Sequence, residues 1–205
     1  MVGQGVLREC LLDAEVERVE TVGRSAGGVR HERLREIVHR DLWNYASIEA
    51  DLTGYDACFF CLGVSSSGMT EAMAAGETLC RLNPEMTFVF VSSAGTDSSE
   101  GGRIRWARVK GKTENALLRL PFKAAYMFRP GFIEPLHGAR SKTAAYRVFY
   151  TLGKPPMPVL RWAFPDSVPS TESIGRAMLE VAKHGAPKRI LESGDIRAVV
   201  SSFAR

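Results

Sequence analysis

Two serines and a lysine near the middle of the chain have the residue types of a ligand-binding site. Ser92 and Ser93 directly follow the apolar run 86–91, whose residues favour a buried strand. Lys110 comes later, in a stretch with helical spacing, where it shares one helix face with Trp106. Serine hydroxyls and a lysine ammonium donate hydrogen bonds to carbonyl and hydroxyl oxygens. The pattern predicts a ligand site where the strand ends, at the carboxyl edge of an α/β sheet.

The same residues also have purely structural interpretations. Ser93 fits the cap of a turn, where its hydroxyl bonds to nearby backbone. Lys110 fits an exposed helix face, and Glu114, four residues later, is placed to pair with it. The sequence leaves these alternatives open beside the ligand site.

The elements that must position these residues alternate between strand and helix. Apolar periodicity and turn residues set their boundaries. The predicted strands are 16–22, 36–39, 55–62, 86–91, 122–128 and 188–191. The predicted helices are 1–12, 48–52, 70–82 with Thr70 as N-cap, 106–118, 143–151, and 171–184 with Thr171 as N-cap.

This alternation predicts parallel βαβ units and therefore an α/β, doubly wound, Rossmann-like sheet. With 205 residues, the chain is expected to form a single domain over 1–205. Residues 136–170 are irregular in pattern and rich in proline, and we expect them to cover the substrate side of the sheet. Their aromatic and arginine side chains leave a partner surface or a membrane-surface patch as alternatives.

Composition argues against several function classes. The net charge is +4, with basic and acidic residues interleaved, which disfavours nucleic-acid binding and suits an anionic small ligand. The histidines, at 31, 39, 137 and 184, lack metal-ligand spacing, so no metal site is expected. No apolar run approaches the length of a membrane span. The cysteines, including Cys58 and Cys61 in an apolar run, fit the reduced thiols of a cytoplasmic protein.

The segment 89–114 resembles the catalytic segment of the short-chain dehydrogenase/reductase superfamily, and within it the atypical, epimerase/dehydratase-like NAD(P)-binding proteins. That family places a serine at a strand end and Tyr-x-x-x-Lys on the next helix. Here the serines are Ser92 and Ser93, the lysine is Lys110, and Trp106 stands at the tyrosine position. The resemblance implies catalytic positions at Ser93, Lys110 and Trp106. An indole N–H has no usable pKa, so Trp106 cannot deliver the proton that a tyrosine would.

The resemblance also implies where a dinucleotide would bind. Gly3 matches the third glycine of the family's G-x-x-G-x-x-G turn, so the first strand and the first two glycines are expected to be missing. Arg24 ends the second family strand with no acidic residue beside it, which predicts NADP in preference to NAD. The implied cofactor-binding residues are Gly3, Arg24, Ser25, Asp41, Leu42, Cys61, Leu62, Gly63, Ser92, Lys110, Pro130 and Gly131.

Three functions follow as hypotheses from this resemblance. The first is an NADP-dependent oxidoreductase or epimerase-like enzyme that acts on a small molecule the sequence does not identify. The second is a nucleotide-binding regulator or interaction protein with impaired catalysis, which Trp106 favours. The third is a protein that binds the dinucleotide poorly because the glycine-rich turn is incomplete. Whether the chain is an enzyme stays open at this stage, as does its oligomeric state.

Overall fold

The computed structural model describes residues 1–62, 69–139 and 168–203. Its helices are α1 (Val2–Leu12), a 3-10 helix (Ala46–Leu52), α2 (Met69–Leu82), α3 (Arg105–Arg119), α4 (Thr171–His184) and α5 (Ser193–Phe203). Its strands are β1 (Val19–Gly23), β2 (Leu34–Val38), β3 (Ala57–Phe60), β4 (Thr87–Val91), β5 (Ala124–Arg129) and β6 (Ile190–Glu192). Each predicted strand has a counterpart, so the predicted order of the strands is confirmed in these ranges.

Every strand pair in the described residues is parallel. β1 pairs with β2, and β3, β4, β5 and β6 form a four-stranded sheet in that order. Helices flank this sheet on both faces, so the predicted α/β, Rossmann-like fold is confirmed. In the doubly wound order one further strand stands between the positions of β1 and β3. No backbone hydrogen bond joins β1 to β3 among the described residues.

The two faces of the sheet each bury one apolar cluster. Alternate residues of a strand point to opposite faces, and β4 shows this directly, with Val89 in one cluster and Phe88 and Phe90 in the other. The first cluster contains side chains of α1, α4 and α5. The second contains side chains of α2, α3 and the loop before the 3-10 helix. The strands are therefore held between two helical layers, with their carboxyl ends at one edge.

Three details of the predicted elements differ from the structure. Ser170, not Thr171, caps α4: its hydroxyl accepts the backbone N–H of Ser173 at 3.0 Å. Thr171 instead accepts the N–H of Leu136 at 3.0 Å. Thr70 lies inside α2, which begins at Met69, so it is not the N-cap. Helix α5 was not predicted.

Part of the predicted structure lies outside the described residues. This applies to Gly63, to the helix at 143–151, and to most of the covering segment 136–170. Their predicted roles stay predictions.

Candidate functional site

Lys110 and Ser93 are in direct contact at the carboxyl end of β4. The Lys110 ammonium donates a hydrogen bond of 2.8 Å to the Ser93 hydroxyl. Burial lowers the pKa of Lys110, while the charge of Glu114 acts in the opposite direction. A lysine with a lowered pKa gives up a proton more readily than an exposed one. Helix α3 thus places the Lys110 ammonium, whose pKa is lowered, against Ser93 at the end of β4.

Glu114 does not pair with Lys110, so the i, i+4 alternative is wrong. The Glu114 side chain is fully buried and binds the guanidinium of Arg129, whose Nε donates to Oε1 at 3.0 Å. The Arg129 guanidinium also donates to Ser98 Oγ at 2.6 Å and to Glu192 Oε1 at 3.3 Å. Hydrogen bonding to Glu114 raises the pKa of Arg129. The pair fixes α3, one turn beyond Lys110, to the end of β5.

The loop between β4 and α3 also fixes Lys110 in place. Gly111 lies so close to this loop that a Cβ there would overlap the carbonyl oxygen of Asp97. Asp97 holds the loop by accepting the N–H groups of Ser99 at 3.0 Å and Gly102 at 2.7 Å. A glycine beside Lys110 is therefore required for α3 to approach the strand end.

Trp106 borders the same site. Its side chain is half exposed, and the ring centroid lies 6.0 Å from the Lys110 ammonium nitrogen. Gly95, with a φ of 80°, packs against this ring: a Cβ at Gly95 would lie 3.3 Å from it. The indole thus occupies the position beside Lys110 that the resemblance gives to the tyrosine, and it offers no titrating proton there.

The ends of β4, β5 and β6 converge beside Ser93. The N–H of Ala94 donates to the carbonyl of Pro130 at 3.1 Å, and the N–H of Gly131 donates to Ser193 Oγ at 3.0 Å. Ser92 is different, because its buried hydroxyl shares a hydrogen bond of 3.1 Å with Thr96 inside the turn. Pro130 and Gly131 therefore stand next to the Ser93 segment, whereas the Ser92 hydroxyl is already engaged.

The start of α1 lies against the end of β3. A Cβ at Gly3 would lie 3.2 Å from the Cβ of Cys61, which is closer than nearly all real contacts of this kind. Burial raises the pKa values of the Cys58 and Cys61 thiols, that of Cys58 to about 12. Both cysteines are therefore neutral thiols, and both are free. Leu62 packs against the core cluster on the α2 and α3 side.

A second group of predicted residues gathers at the end of β1. The Arg24 guanidinium hydrogen-bonds to the carboxylate of Glu71 in the first turn of α2, and the Glu71 side chain is 7% exposed. Tyr45 lies in the same group: burial raises its pKa to about 12, and the charges of Glu71, Arg24 and Asp41 act on it. Glu71 could not be predicted as part of this group, because its partner Arg24 is 47 residues away in the sequence.

Asp41 and Leu42 have structural roles in this group. Asp41 Oδ1 accepts the N–H of Trp43 at 3.0 Å, and Leu42 is 2% exposed within the core. Ser25 follows Arg24 in the exposed loop. Among the described residues, no hydrogen bond or ion pair joins this second group to Ser93 or Lys110.

Another tyrosine could in principle supply the acid, but Tyr126 of β5 is not found beside Lys110. The hydroxyl of Tyr126 accepts the N–H of Ala186 at 3.1 Å, beyond the end of α4. Its position excludes it as the missing acid, and Tyr146 lies outside the described residues.

In the described part of the chain, no group of three or more His, Cys, Asp or Glu side chains is placed to hold a metal. No helix described here is both long and apolar enough to span a bilayer.

Comparison with known proteins gives weak sequence similarity and a clear fold. No family model matches the chain. It is 26% identical over 152 residues to protein fmp52, mitochondrial, of Emericella nidulans, covering 65% of this chain and 63% of that protein. It is 26% identical over 147 residues to protein fmp52-2, mitochondrial, of Aspergillus oryzae, covering 64% of this chain and 62% of that protein. The matched part of the chain thus spans less than two thirds of these relatives.

Solved structures share the fold at low identity. The Bordetella bronchiseptica enzyme WbmF, crystallised with NAD+ and UDP, has a TM-score of 0.60 at 13% identity, over 96% of this chain and 72% of that one. The UDP-N-acetylglucosamine 4-epimerase of Bacillus cereus has a TM-score of 0.55 at 12% identity, over 98% and 81%. These structures therefore share the α/β, Rossmann-like fold of this chain.

One prediction is overturned by these comparisons. The cytoplasmic location is wrong, because both relatives are named mitochondrial proteins. Free cysteines do not distinguish a cytoplasmic protein from a mitochondrial one.

Proposed function

We propose that this chain binds a nicotinamide dinucleotide at the carboxyl edge of the β3–β6 sheet. The observation that carries the proposal is the 2.8 Å hydrogen bond between Lys110 and Ser93 at that edge. In open α/β sheets, ligands bind in the crevice outside the carboxyl ends of the strands. The related folds include an enzyme crystallised with NAD+. The residues present fit such a ligand: Lys110 donates to hydroxyl oxygens, and Gly3 permits close backbone approach beside Cys61.

The substrate side of the proposal follows from the same contact. A bound nicotinamide supplies or accepts a hydride. Ser93 would donate a hydrogen bond to the substrate oxygen, and Lys110 would hold the Ser93 hydroxyl and the ribose hydroxyls in place. Pro130 and Gly131 border the space in front of Ser93. We therefore propose an oxidoreductase or epimerase-like activity on a small hydroxyl or carbonyl compound.

A second candidate function rests on Trp106. General acid catalysis contributes roughly 10²–10⁴-fold in rate, and the residue beside Lys110 is an indole that cannot contribute it. The observation favours a dinucleotide-binding protein with little turnover, in which binding itself is the function. Measured turnover with bound NADPH distinguishes the two candidates.

We propose NADP as the preferred dinucleotide, on the basis of Arg24. The Arg24 side chain is 58% exposed at the end of β1, so its guanidinium is accessible to a 2′-phosphate. Glu71 orients this guanidinium but also cancels part of its charge. Losing a charge-assisted hydrogen bond costs about 1.5–3 kcal/mol. Arg24→Ala should therefore weaken NADPH binding at least tenfold and leave NADH binding unchanged, whereas Glu71→Gln should strengthen NADPH binding.

We also propose a mitochondrial location, from the names of the two fungal relatives. Fractionation of cells that express a C-terminally tagged full-length protein tests it. Recovery of the tag with a mitochondrial matrix or membrane marker is the expected result. Recovery only with a cytosolic marker would contradict the proposal.

A fluorescence titration with NADPH and NADH tests the dinucleotide site. Lys110→Met and Ser93→Ala should each weaken binding, Lys110→Met by tenfold or more. Lys112→Met is the matched control, because Lys112 is an exposed lysine on the same helix, and its binding should equal that of the wild type. Equal affinities of the Lys110→Met and Lys112→Met proteins would refute the proposed site.

A further inference from the structure

Trp106 presents an exposed aromatic ring beside the contact of Lys110 with Ser93. The residue is 45% exposed, and its ring centroid lies 6.0 Å from the Lys110 ammonium nitrogen. On the other side the ring packs against Gly95, in the turn that follows Ser93. Aromatic side chains offer a large apolar area and a face on which another ring can stack. The rim of this site is therefore suited to a ligand that carries a planar ring.

The Lys110 ammonium is a cation without a carboxylate partner. Its hydrogen bond goes to the uncharged hydroxyl of Ser93 at 2.8 Å. Glu114, on the same helix, binds Arg129 instead, and among the described residues Lys110 forms no ion pair. Hydrogen bonds from a charged donor are strongest to a charged acceptor. The site therefore favours a ligand oxygen that carries negative charge.

The site lacks a general acid beside this cation, because the indole of Trp106 does not titrate. Hydride transfer to an isolated ketone leaves an alkoxide, a base about as strong as hydroxide, and the conjugate acid of hydroxide has a pKa of about 16. Hydride transfer to a quinone makes the ring aromatic and leaves a phenolate, whose conjugate acid has a pKa of about 10. A ketone thus needs a proton as the hydride arrives, whereas a quinone can form its anion without one.

We propose that the substrate of this site is a quinone, which stacks on Trp106 with one oxygen against Ser93 and Lys110. This inference rests on the dinucleotide site proposed above, which names the reductant. The quinone accepts a hydride from the reduced nicotinamide at one oxygen, so a C–H bond breaks and an O–H bond forms. The electron pair leaves negative charge on the second oxygen, which Ser93 and Lys110 stabilise by hydrogen bonds. Water then protonates this oxygen, which gives the hydroquinone and the oxidised dinucleotide.

Duroquinone and acetophenone are the probes for the first test, which follows NADPH oxidation by the full chain. Both are planar one-ring compounds, and the fully methylated ring of duroquinone has no position to which the free cysteines could add. Each rate is corrected for the reaction without protein. Duroquinone should be reduced and acetophenone barely or not at all. Lys110→Met and Ser93→Ala should lower the duroquinone rate roughly tenfold or more, whereas Lys112→Met, on the exposed face of the same helix, should not.

Trp106→Tyr separates this proposal from a general preference for easily reduced compounds. The tyrosine supplies an acid, which the alkoxide needs and the phenolate does not. Acetophenone reduction should therefore rise by roughly 10²-fold or more, while duroquinone reduction should stay within about threefold of the wild type. An equal rise for both compounds would contradict the proposal.

A second readout requires no turnover. Calorimetry measures duroquinone binding in saturating NADP+, from which no hydride can pass. Trp106→Leu should weaken binding roughly threefold or more, because stacking is lost, whereas Trp106→Phe keeps a ring and should bind like the wild type. Trp43→Leu is the matched control, because Trp43 is also exposed, at 64%, and lies in the group at the end of β1. Its affinity for duroquinone should equal that of the wild type.

The outcomes separate this inference from the dinucleotide site on which it rests. NADPH binding without protein-dependent duroquinone reduction would overturn the quinone proposal and leave the dinucleotide site in place. Brisk acetophenone reduction by the wild type would also overturn it, because Lys110 and Ser93 would then supply the proton. Equal duroquinone affinities of the Trp106→Leu and Trp43→Leu proteins would refute stacking on Trp106. Failure to bind NADPH would overturn the dinucleotide site and the quinone proposal together.

Discussion

Replacing Glu114 by glutamine tests how α3 is held at the sheet. The substitution keeps the shape of the side chain and removes its charge, which leaves the Arg129 guanidinium as a buried cation, 8% exposed. Removing one partner of a buried ion pair costs about 3–5 kcal/mol, because the other charge stays buried. Arg129 keeps Glu192 at 3.3 Å and Ser98 at 2.6 Å. We therefore expect the lower end of this range, about 3 kcal/mol.

Urea denaturation at neutral pH measures this loss in the free energy of unfolding. A domain is stable by only about 5–15 kcal/mol, so the loss is a large fraction of the total. Glu192→Gln is the matched control: it removes the other carboxylate at the same guanidinium, but that side chain is 50% exposed. An exposed ion pair contributes about 0–1 kcal/mol. If Glu192→Gln destabilises the protein as much as Glu114→Gln, Glu114 does not anchor α3.

Three further predictions concern the helix that carries Lys110. Trp106→Tyr should raise NADPH-dependent carbonyl turnover from a weak or absent level by roughly 10²-fold or more, because it supplies the missing acid. An unchanged rate across a panel of carbonyl compounds would show that position 106 is not the place of the general acid. Gly111→Ala should lower the free energy of unfolding by about 1–3 kcal/mol, because the added Cβ overlaps Asp97. Gly194→Ala should leave it unchanged, because no atom lies within 4 Å of the added Cβ. Equal unfolding free energies of the two variants would contradict this prediction. Burial lowers the pKa of Lys110 in the folded protein, so between that lowered pKa and about 10.4 the unfolded state binds more protons than the folded state. The free energy of unfolding should therefore rise with pH across this window. Urea denaturation at several alkaline pH values should show this rise in the wild type and not in Lys110→Met.

The sheet could be predicted from the sequence because its strands are nearly continuous apolar runs. The run before Ser92 is β4, whose residues Thr87–Phe90 are fully buried between two helical layers. Alternation with amphipathic helices then leaves few arrangements other than parallel pairing. Helix α5 was missed because it follows β6 without an intervening turn, and Gly194 in its first turn disfavours a helix.

The partners of charged residues could not be predicted in the same way. Helical spacing placed Glu114 near Lys110, but the helix turns that carboxylate inward, where Arg129 arrives from a strand that follows α3. The contact of Arg24 with Glu71 likewise depends on how α2 packs beside β1. The spacing of residues in the sequence predicts which side chains are neighbours on one helix or strand. It does not predict these pairs, because their two members lie on different elements. Ser93 and Lys110 were predictable because the strand end and the helix face each had a recognisable pattern.

Hydrogen exchange with and without saturating NADPH tests the central claim most directly. The claim is that the dinucleotide lies at the carboxyl edge of the sheet, in front of Ser93 and Lys110. Exchange should slow in residues 92–96, in residues 130–132 and in the first turn of α1, and this slowing should be lost in Lys110→Met but kept in Lys112→Met. Unchanged exchange in these segments at saturating NADPH and NADH, or protection confined to other parts of the chain, would contradict the account.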